Sequence, residues 1–202
     1  MELVDKLSNR QYIDGEWVES SNKNTRDIIN PYNQETIFTV AEGTKEDVER
    51  AILAARRSFE DGEWSLETSE VRGKKVRAVA DKIKKNREEL AKLETLDTGK
   101  TLEESYADMD DIHNVFMYFA GLADKDGGEM INSPIPNTES KIVKEPVGVV
   151  TQITPWNYPL LQASWKIAPA LATGCSLVMK PSEITPLTTI RVFELMEEVG
   201  FP

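Results

Sequence analysis

The last quarter of the chain constrains the fold most, because it is almost free of charge. From Gly148 to Pro202 there are three Lys or Arg and four Asp or Glu, a net of −1; the whole chain carries −11, so −10 falls on residues 1–147. A stretch so poor in charge is expected to be largely buried. Its pattern predicts a strand Val147–Ile153, a helix Leu160–Ala172, a strand Ser176–Met179 and a helix Pro186–Val199 stopped by Gly200. That is βαβα order. Nearly uncharged strands suit a parallel sheet covered on both faces, and consecutive units are expected to join through right-handed crossovers. A sheet of two such strands still lacks its next strand at Phe201-Pro202, so the pattern predicts a truncated α/β domain.

The upstream region reads differently. Tyr12-Ile13-Asp14-Gly15-Glu16-Trp17 predicts a strand meeting a turn, and Ile28-Ile29-Asn30-Pro31 with Thr36-Ile37-Phe38-Thr39-Val40 extends this to a short antiparallel meander. Thr44-Lys45-Glu46-Asp47 resembles a helix N-cap with acids in the first turn, and Val48, Ala51, Ile52, Ala55 and Phe59 follow as its apolar stripe. Val76, Val79, Ala80, Ile83, Leu90, Leu93 and Leu96 form one longer stripe, ended by Asp97-Thr98-Gly99. A third helix, from about Leu102 to Leu122, carries Tyr106, Met109, His113, Phe116 and Phe119, and Gly127-Gly128 closes the block. Asn132-Ser133-Pro134-Ile135-Pro136-Asn137 is turn chemistry, and Lys141-Ile142-Val143-Lys144-Glu145 alternates like an exposed strand suited to an arm. The expected division is therefore 1–131 meander and helices, 132–147 arm, and 148–202 βαβα unit.

A chain of 202 residues, 40% hydrophobic and 29% charged, can bury a sizeable core. Its acidity disfavours a nucleic-acid partner and an anionic membrane surface, since both require clustered Lys and Arg. Met1 to Arg10 has no apolar stretch of signal-peptide length. Pro146 to Trp165 is uncharged, yet Pro155 and Pro159 interrupt it, so a membrane helix is a poor reading. A single Cys excludes an internal disulfide and suits a reducing compartment, with the cytoplasm as default.

Two loops follow the carboxyl ends of the expected strands, the edge at which open α/β sheets bind ligands. In Thr154-Pro155-Trp156-Asn157-Tyr158-Pro159 the prolines stiffen the backbone around an amide suited to donate to a developing oxyanion. The plain alternative is a βα turn in which Asn157 caps a helix. In Lys180-Pro181-Ser182-Glu183 the carboxylate could accept the hydroxyl protons of a ribose and repel a phosphate there; the alternative is a surface ion pair.

Glu145-Pro146-Val147-Gly148-Val149-Val150, Ile153 to Leu160, Ala168 to Gly174 and Lys180 to Leu187 together resemble the aldehyde dehydrogenase superfamily. Ile29-Asn30-Pro31 and Leu93 to Lys100 fit the same family, and within it the chain looks most like bacterial betaine aldehyde dehydrogenases, an impression to which Tyr106 to Gly128 adds. The resemblance implies a Rossmann-like parallel sheet in an NAD-binding domain, an extended oligomerisation arm, and a catalytic domain absent from these residues. It implies that Asn157 helps form the oxyanion hole, that Lys166 belongs to a proton relay, and that Ile153, Thr154, Pro155 and Trp156 line the NAD cleft. Lys180, Pro181, Ser182 and Glu183 would hold the adenosine ribose and Pro186 would border the adenine. Tyr158 and Trp165 would offer aromatic faces to a quaternary ammonium group. Ile28, Ile29, Asp97 and Ile184 match positions that bind a structural monovalent cation, potassium or sodium, the isoleucines through backbone carbonyls. For Asp97 a turn-forming acid before Gly99 is the simpler reading.

The family's nucleophilic Cys, general-base Glu and second glycine-bearing cofactor loop are expected downstream of Pro202. Cys175 invites misassignment, but it precedes the second strand at the edge opposite the cofactor and reads as a small core residue. His113 has no partner for metal binding and reads as a packed side chain. The implied full-length protein is a cytoplasmic homo-oligomer, a dimer or tetramer, oxidising betaine aldehyde to glycine betaine. The rival readings are a dehydrogenase of another aliphatic aldehyde or semialdehyde, and a non-catalytic chain that serves as an interaction partner.

Overall fold

The computed structural model describes residues 3–125 and 127–202, so the first two residues of the polar opening segment lie outside the described residues. Asp14 and Gly15, with φ of 59° and 76°, form a tight turn between β1 (Gln11–Ile13) and β2 (Glu16–Val18). A second antiparallel hairpin joins β3 (Thr25–Ile29) to β4 (Thr36–Ala41). These are separate two-stranded sheets, which corrects the expectation of one meander. The link between them turns at Lys23, which has a φ of 59°, and is tied to Asp47 through Ser20 and Ser21, so β2 does not run beside β3.

Helix α1 (Lys45–Glu60) starts with the expected N-cap, as a full capping box between Thr44 and Asp47. Its buried face follows the expected stripe in part: Ala55 is buried and Ala51 and Phe59 are half-buried, but the stripe is corrected at two positions. Val48 and Ile52 are exposed, and Asp47, Ala54 and Ala55 face inward. Asp47 sets this phase: burial alone would raise its pKa, but hydrogen bonds from Thr44, Ser21 and Gln11 outweigh it and hold the carboxyl at about 2.

After the short α2 (Glu63–Leu66), the long stripe read as one helix is two, α3 (Ser69–Lys85) and α4 (Arg87–Thr98). Asn86 makes the break. Its backbone N–H makes the usual i→i−4 bond to Lys82 O, but its side-chain amide donates to the same carbonyl and its backbone leaves helical dihedrals at φ −101° and ψ 19°. The bend lets α4 serve two clusters: Leu90 joins the main core, whereas Leu93 packs with Ile28, Val40 and Leu187. The main core is formed by α3, α5 (Leu102–Leu122) and the helices of the last quarter, through Val76, Ile83, Ile112, Phe116, Leu160, Ile167 and Leu195. Each such side chain contributes about 1.5–3 kcal/mol of transfer free energy. Gly73 permits the close approach of α3 and α5, since a Cβ there would lie 2.8 Å from Ala120 O.

A third hairpin pairs β5 (Glu129–Ile131) with β6 (Ser140–Ile142), both largely exposed. The last quarter follows its expected order: β7 (Val149–Ile153), α6 (Pro159–Ala172), β8 (Ser176–Lys180) and α7 (Leu187–Val199), with Gly200 in the left-handed conformation as C-cap. β7 and β8 are parallel, in register from Val149↔Ser176 to Ile153↔Lys180. Among the described residues no helix is long and apolar enough to cross a membrane.

Candidate functional site

The parallel register brings Ile153 and Lys180 to one sheet edge, and both following loops leave from there. They are joined twice. Thr154 N donates to Lys180 O at 3.2 Å, and Thr185 Oγ1 donates to Trp156 O at 3.3 Å. Pro155, Trp156, Asn157 and Tyr158 are exposed on the first loop, while Thr154 is buried with its Oγ1 unpartnered. Pro159 opens α6 in its first turn, where the missing N–H costs nothing. The N-cap position is Tyr158, with no side-chain cap hydrogen bond, so Asn157 does not serve as a helix cap. Its amide is exposed on a loop fixed at both ends, which leaves it free to donate to a ligand.

On the second loop Ser182 is buried, Pro181 half-buried, and Glu183 and Ile184 exposed. Lys180 Nζ lies 3.3 Å from Glu183 Oε2, and both side chains are about 60% exposed. Glu183 is held below the usual carboxylate range first by its own backbone N–H, then by Lys180, with a smaller contribution from Arg26. Pairs this exposed stabilise a fold by about 0–1 kcal/mol, so the fold gains little from this one. Pro186 is buried at the start of α7.

Helix α6 carries Trp165 and Lys166 about two turns beyond its start. Lys166 Nζ donates to Gln162 O at 3.2 Å, and its own carbonyl accepts from Gln152 Nε2 at 2.9 Å, fixing the helix to β7. Trp165 is half exposed and lines an open groove of about 490 Å³ between α5 and α6, together with Asp111, Asn114, Val115, Tyr118, Phe119 and Leu161. Asp111 was not singled out from sequence. The available signal was its spacing, since Asp111, Val115 and Tyr118 fall on one helical face at i, i+4 and i+7.

Beneath the loops lies a buried group of charges that the sequence reading touched only at Asp97. Asp97 Oδ2 accepts from Leu187 N at 2.9 Å, so this acid caps α7 from a distance, and its buried Oδ1 has no partner. Burial raises its pKa well above the usual carboxylate range. It lies on α4 and does not act as the turn acid before Gly99. Gly99 itself, at φ 76°, ends α4 and packs against Pro31, which brings Ile28 and Ile29 near the end of α4. Ile28 is buried, whereas Ile29 and Ile184 are exposed.

One turn earlier, Glu94 is fully buried and accepts from Thr188 Oγ1 at 2.6 Å. Burial lifts its pKa to about 7 against the opposing effects of Thr188 and Lys100. Lys100 Nζ lies 2.5 Å from Asp108 Oδ2, 3.8 Å from Glu94 Oε1 and 4.3 Å from the centre of the Tyr158 ring. No group of three or more His, Cys, Asp or Glu with metal-binding geometry occurs among the described residues. Cys175 is buried just before β8, with Thr173 Oγ1 at 3.6 Å, at the sheet edge opposite the two loops. His113 is half-buried, and its Nδ1 lies 3.0 Å from Ala80 O.

Comparison with known proteins agrees with this architecture. The family model described as aldehyde dehydrogenase family matches residues 17–202. The chain is 66% identical over 196 residues to a betaine aldehyde dehydrogenase of Bacillus subtilis, covering 97% of this chain and 40% of that protein. It is 46% identical over 204 residues to a peroxisomal aminoaldehyde dehydrogenase of Pisum sativum, again covering 97% of this chain and 40% of the relative. A crystal structure of betaine aldehyde dehydrogenase from Staphylococcus aureus in complex with NAD+ superposes with a TM-score of 0.98 at 90% identity, over all of this chain and 40% of that one. The chain thus spans about 40% of the length of the relatives it matches.

Proposed function

The chain belongs to the aldehyde dehydrogenase family, and from that premise we propose that it is the amino-terminal part of an NAD-dependent enzyme oxidising betaine aldehyde to glycine betaine. The observation that carries this reading is the double tie between the two loops at the sheet edge, which fixes the loop carrying the exposed amide of Asn157 to the loop carrying the exposed Lys180–Glu183 pair. A nicotinamide-dependent oxidation of a carbonyl needs an oxyanion donor at the reacting end of the cofactor and an acceptor for the adenosine ribose at the other, and the two loops offer one of each.

In this reading residues 148–202 are part of a Rossmann-like NAD-binding domain, residues 1–131 its amino-terminal part, and residues 132–147 an oligomerisation arm of a cytoplasmic dimer or tetramer. Ile153, Thr154, Pro155 and Trp156 line the cleft, and the unpartnered Thr154 hydroxyl suits a polar cofactor atom. Glu183 accepts from the adenosine ribose beside Lys180, Pro181 and Ser182, with Pro186 near the adenine. When bound, NAD supplies the hydride acceptor. Asn157 Nδ2 donates to the carbonyl oxygen as negative charge develops on it, and Lys166 belongs to a proton relay. The nucleophilic thiol, the general base and the second cofactor loop belong to the part of the relatives that this chain does not span.

Asp97 Oδ1, buried without a partner, fits a monovalent cation held together with the carbonyls of Ile28, Ile29 and Ile184. Trp165 and Tyr158 offer ring faces to the trimethylammonium group. Asp111 in the Trp165 groove, together with the likeness to an aminoaldehyde dehydrogenase, favours a second reading in which the substrate is a primary ω-amino aldehyde. Both substrates are cationic. The test is steady-state kinetics of a full-length enzyme on betaine aldehyde, an ω-amino aldehyde, an uncharged aliphatic aldehyde and a carboxylate-bearing semialdehyde. A kcat/KM at least about tenfold higher for a cationic substrate, roughly 1.4 kcal/mol, is expected. Equal values across the set would overturn the cationic preference, and no turnover of any aldehyde would favour a non-catalytic interaction partner.

A further inference from the structure

We propose that Lys100 is a positioning residue for the Asn157 loop, acting through the ring of Tyr158; this rests on the aldehyde dehydrogenase reading above. Tyr158 directly follows Asn157 and stands at the N-cap of α6; its carbonyl accepts from Gln162 N at 2.9 Å, but its side chain makes no cap hydrogen bond, so the helix end fixes the backbone and leaves the ring unheld. What holds the ring is the Lys100 ammonium, 4.3 Å from its centre.

Lys100 is fixed in turn. Its side chain is 11% exposed, with Asp108 Oδ2 of α5 at 2.5 Å and Glu94 Oε1 of α4 at 3.8 Å. It follows Gly99, whose left-handed backbone is packed against Pro31. The position of α4 and α5 is thereby passed through one ammonium to the residue beside the oxyanion donor. One face of the Tyr158 ring is taken by Lys100, which leaves only the opposite face for a substrate cation.

Neutralising Asp108 is the alternative role for Lys100, and it would not involve Tyr158. A double-mutant cycle separates the two in a full-length enzyme, comparing wild type, Lys100→Met, Tyr158→Leu and the double variant, with kcat/KM for an uncharged aldehyde and the Kd for NAD as readouts. Lys100→Met is expected to lower kcat/KM about 2- to 30-fold, the range of one partly desolvated cation–π contact, with NAD binding unchanged. In the Tyr158→Leu background the same change is expected to cost less than about twofold, because the contact it removes is already gone. Should Lys100→Met fold poorly, Lys100→Met with Asp108→Asn removes the unpaired buried acid and enters the same cycle. A loss that persists undiminished without the ring overturns the positioning role alone. A wild type that binds NAD and turns over no aldehyde overturns the functional reading and the positioning role with it.

Discussion

The loops at the sheet edge and the charges beneath them are built on opposite principles. Asn157, Lys180 and Glu183 are exposed, and the amide of Asn157 is bonded to nothing among the described residues. Glu94, Asp97, Lys100 and Asp108 are nearly or fully buried and tie α4, α5, the start of α6 and the start of α7 together. The exposed residues are available to a ligand because the fold does not need them. The buried ones hold the elements together, and removing one partner leaves an uncompensated charge. In the proposed function, chemistry at the rim and support below are separate tasks, linked where Lys100 meets the Tyr158 ring.

The sharpest way to break this contrast is at the rim. In a full-length enzyme, Asn157→Ala is expected to lower kcat by about 10²- to 10³-fold, the usual loss for one oxyanion donor, while the melting temperature stays near wild type. Stopped-flow or steady-state rates check the first part and thermal unfolding the second; an unchanged rate would make Asn157 a turn residue.

Below the rim the expected effect is on stability and depends on pH. The pKa of Glu94 is raised to about 7 in the fold from an ordinary value of 4.5. Folding therefore favours its protonated form, so its contribution is complete below about pH 4.5 and is lost as pH rises through about 7. At about 1.4 kcal/mol per unit over the roughly 2.5 units between those values, the loss is about 3 kcal/mol. Urea titrations of the full-length enzyme at pH 5 and pH 8 should show a smaller stability difference in Glu94→Gln, which keeps an acceptor for Thr188, than in wild type. An identical difference in both would mean that Glu94 is ionised throughout.

A smaller effect is expected at Glu183. Its replacement by Gln removes the charge that would repel a 2′-phosphate and leaves Lys180 and Arg26 to attract one. The ratio of KM values for NADP and NAD should fall several-fold. A ratio that does not move would mean that Glu183 does not read the ribose. The smallest effect is expected at Cys175, buried away from both regions: Cys175→Ala should leave activity intact and cost about 1 kcal/mol of stability. Loss of turnover with folding preserved would overturn its reading as a core residue.

Much of this was legible residue by residue. The βαβα order of the last quarter follows from uncharged strand runs and punctuated helices, and the structure reproduces it to within two residues at each element end. The loops Thr154–Pro159 and Lys180–Glu183 could be placed at one edge because strand order alone puts them there. The phase of α1 was not legible. Val48 and Ile52 look like part of a core stripe, yet with Asp47 bonded to Ser20 and Ser21 the buried face is offset toward Asp47 and Ala54 and keeps only Ala55 of the stripe fully buried. Nor was the break at Asn86, since the apolar spacing runs through it unchanged.

Periodicity, turn chemistry and linked motifs are local properties of the chain, and by themselves they determined the element order of the last quarter, its parallel pair of strands and the two loops at one sheet edge. Only the tertiary structure decided which acids are buried, that Asp97 caps a helix 90 residues away, and that Lys100 sits against Tyr158. The reason is physical: the cost of burying a charge depends on what surrounds it in three dimensions, and the sequence around Glu94, Asp97 and Lys100 is that of an ordinary solvated helix end.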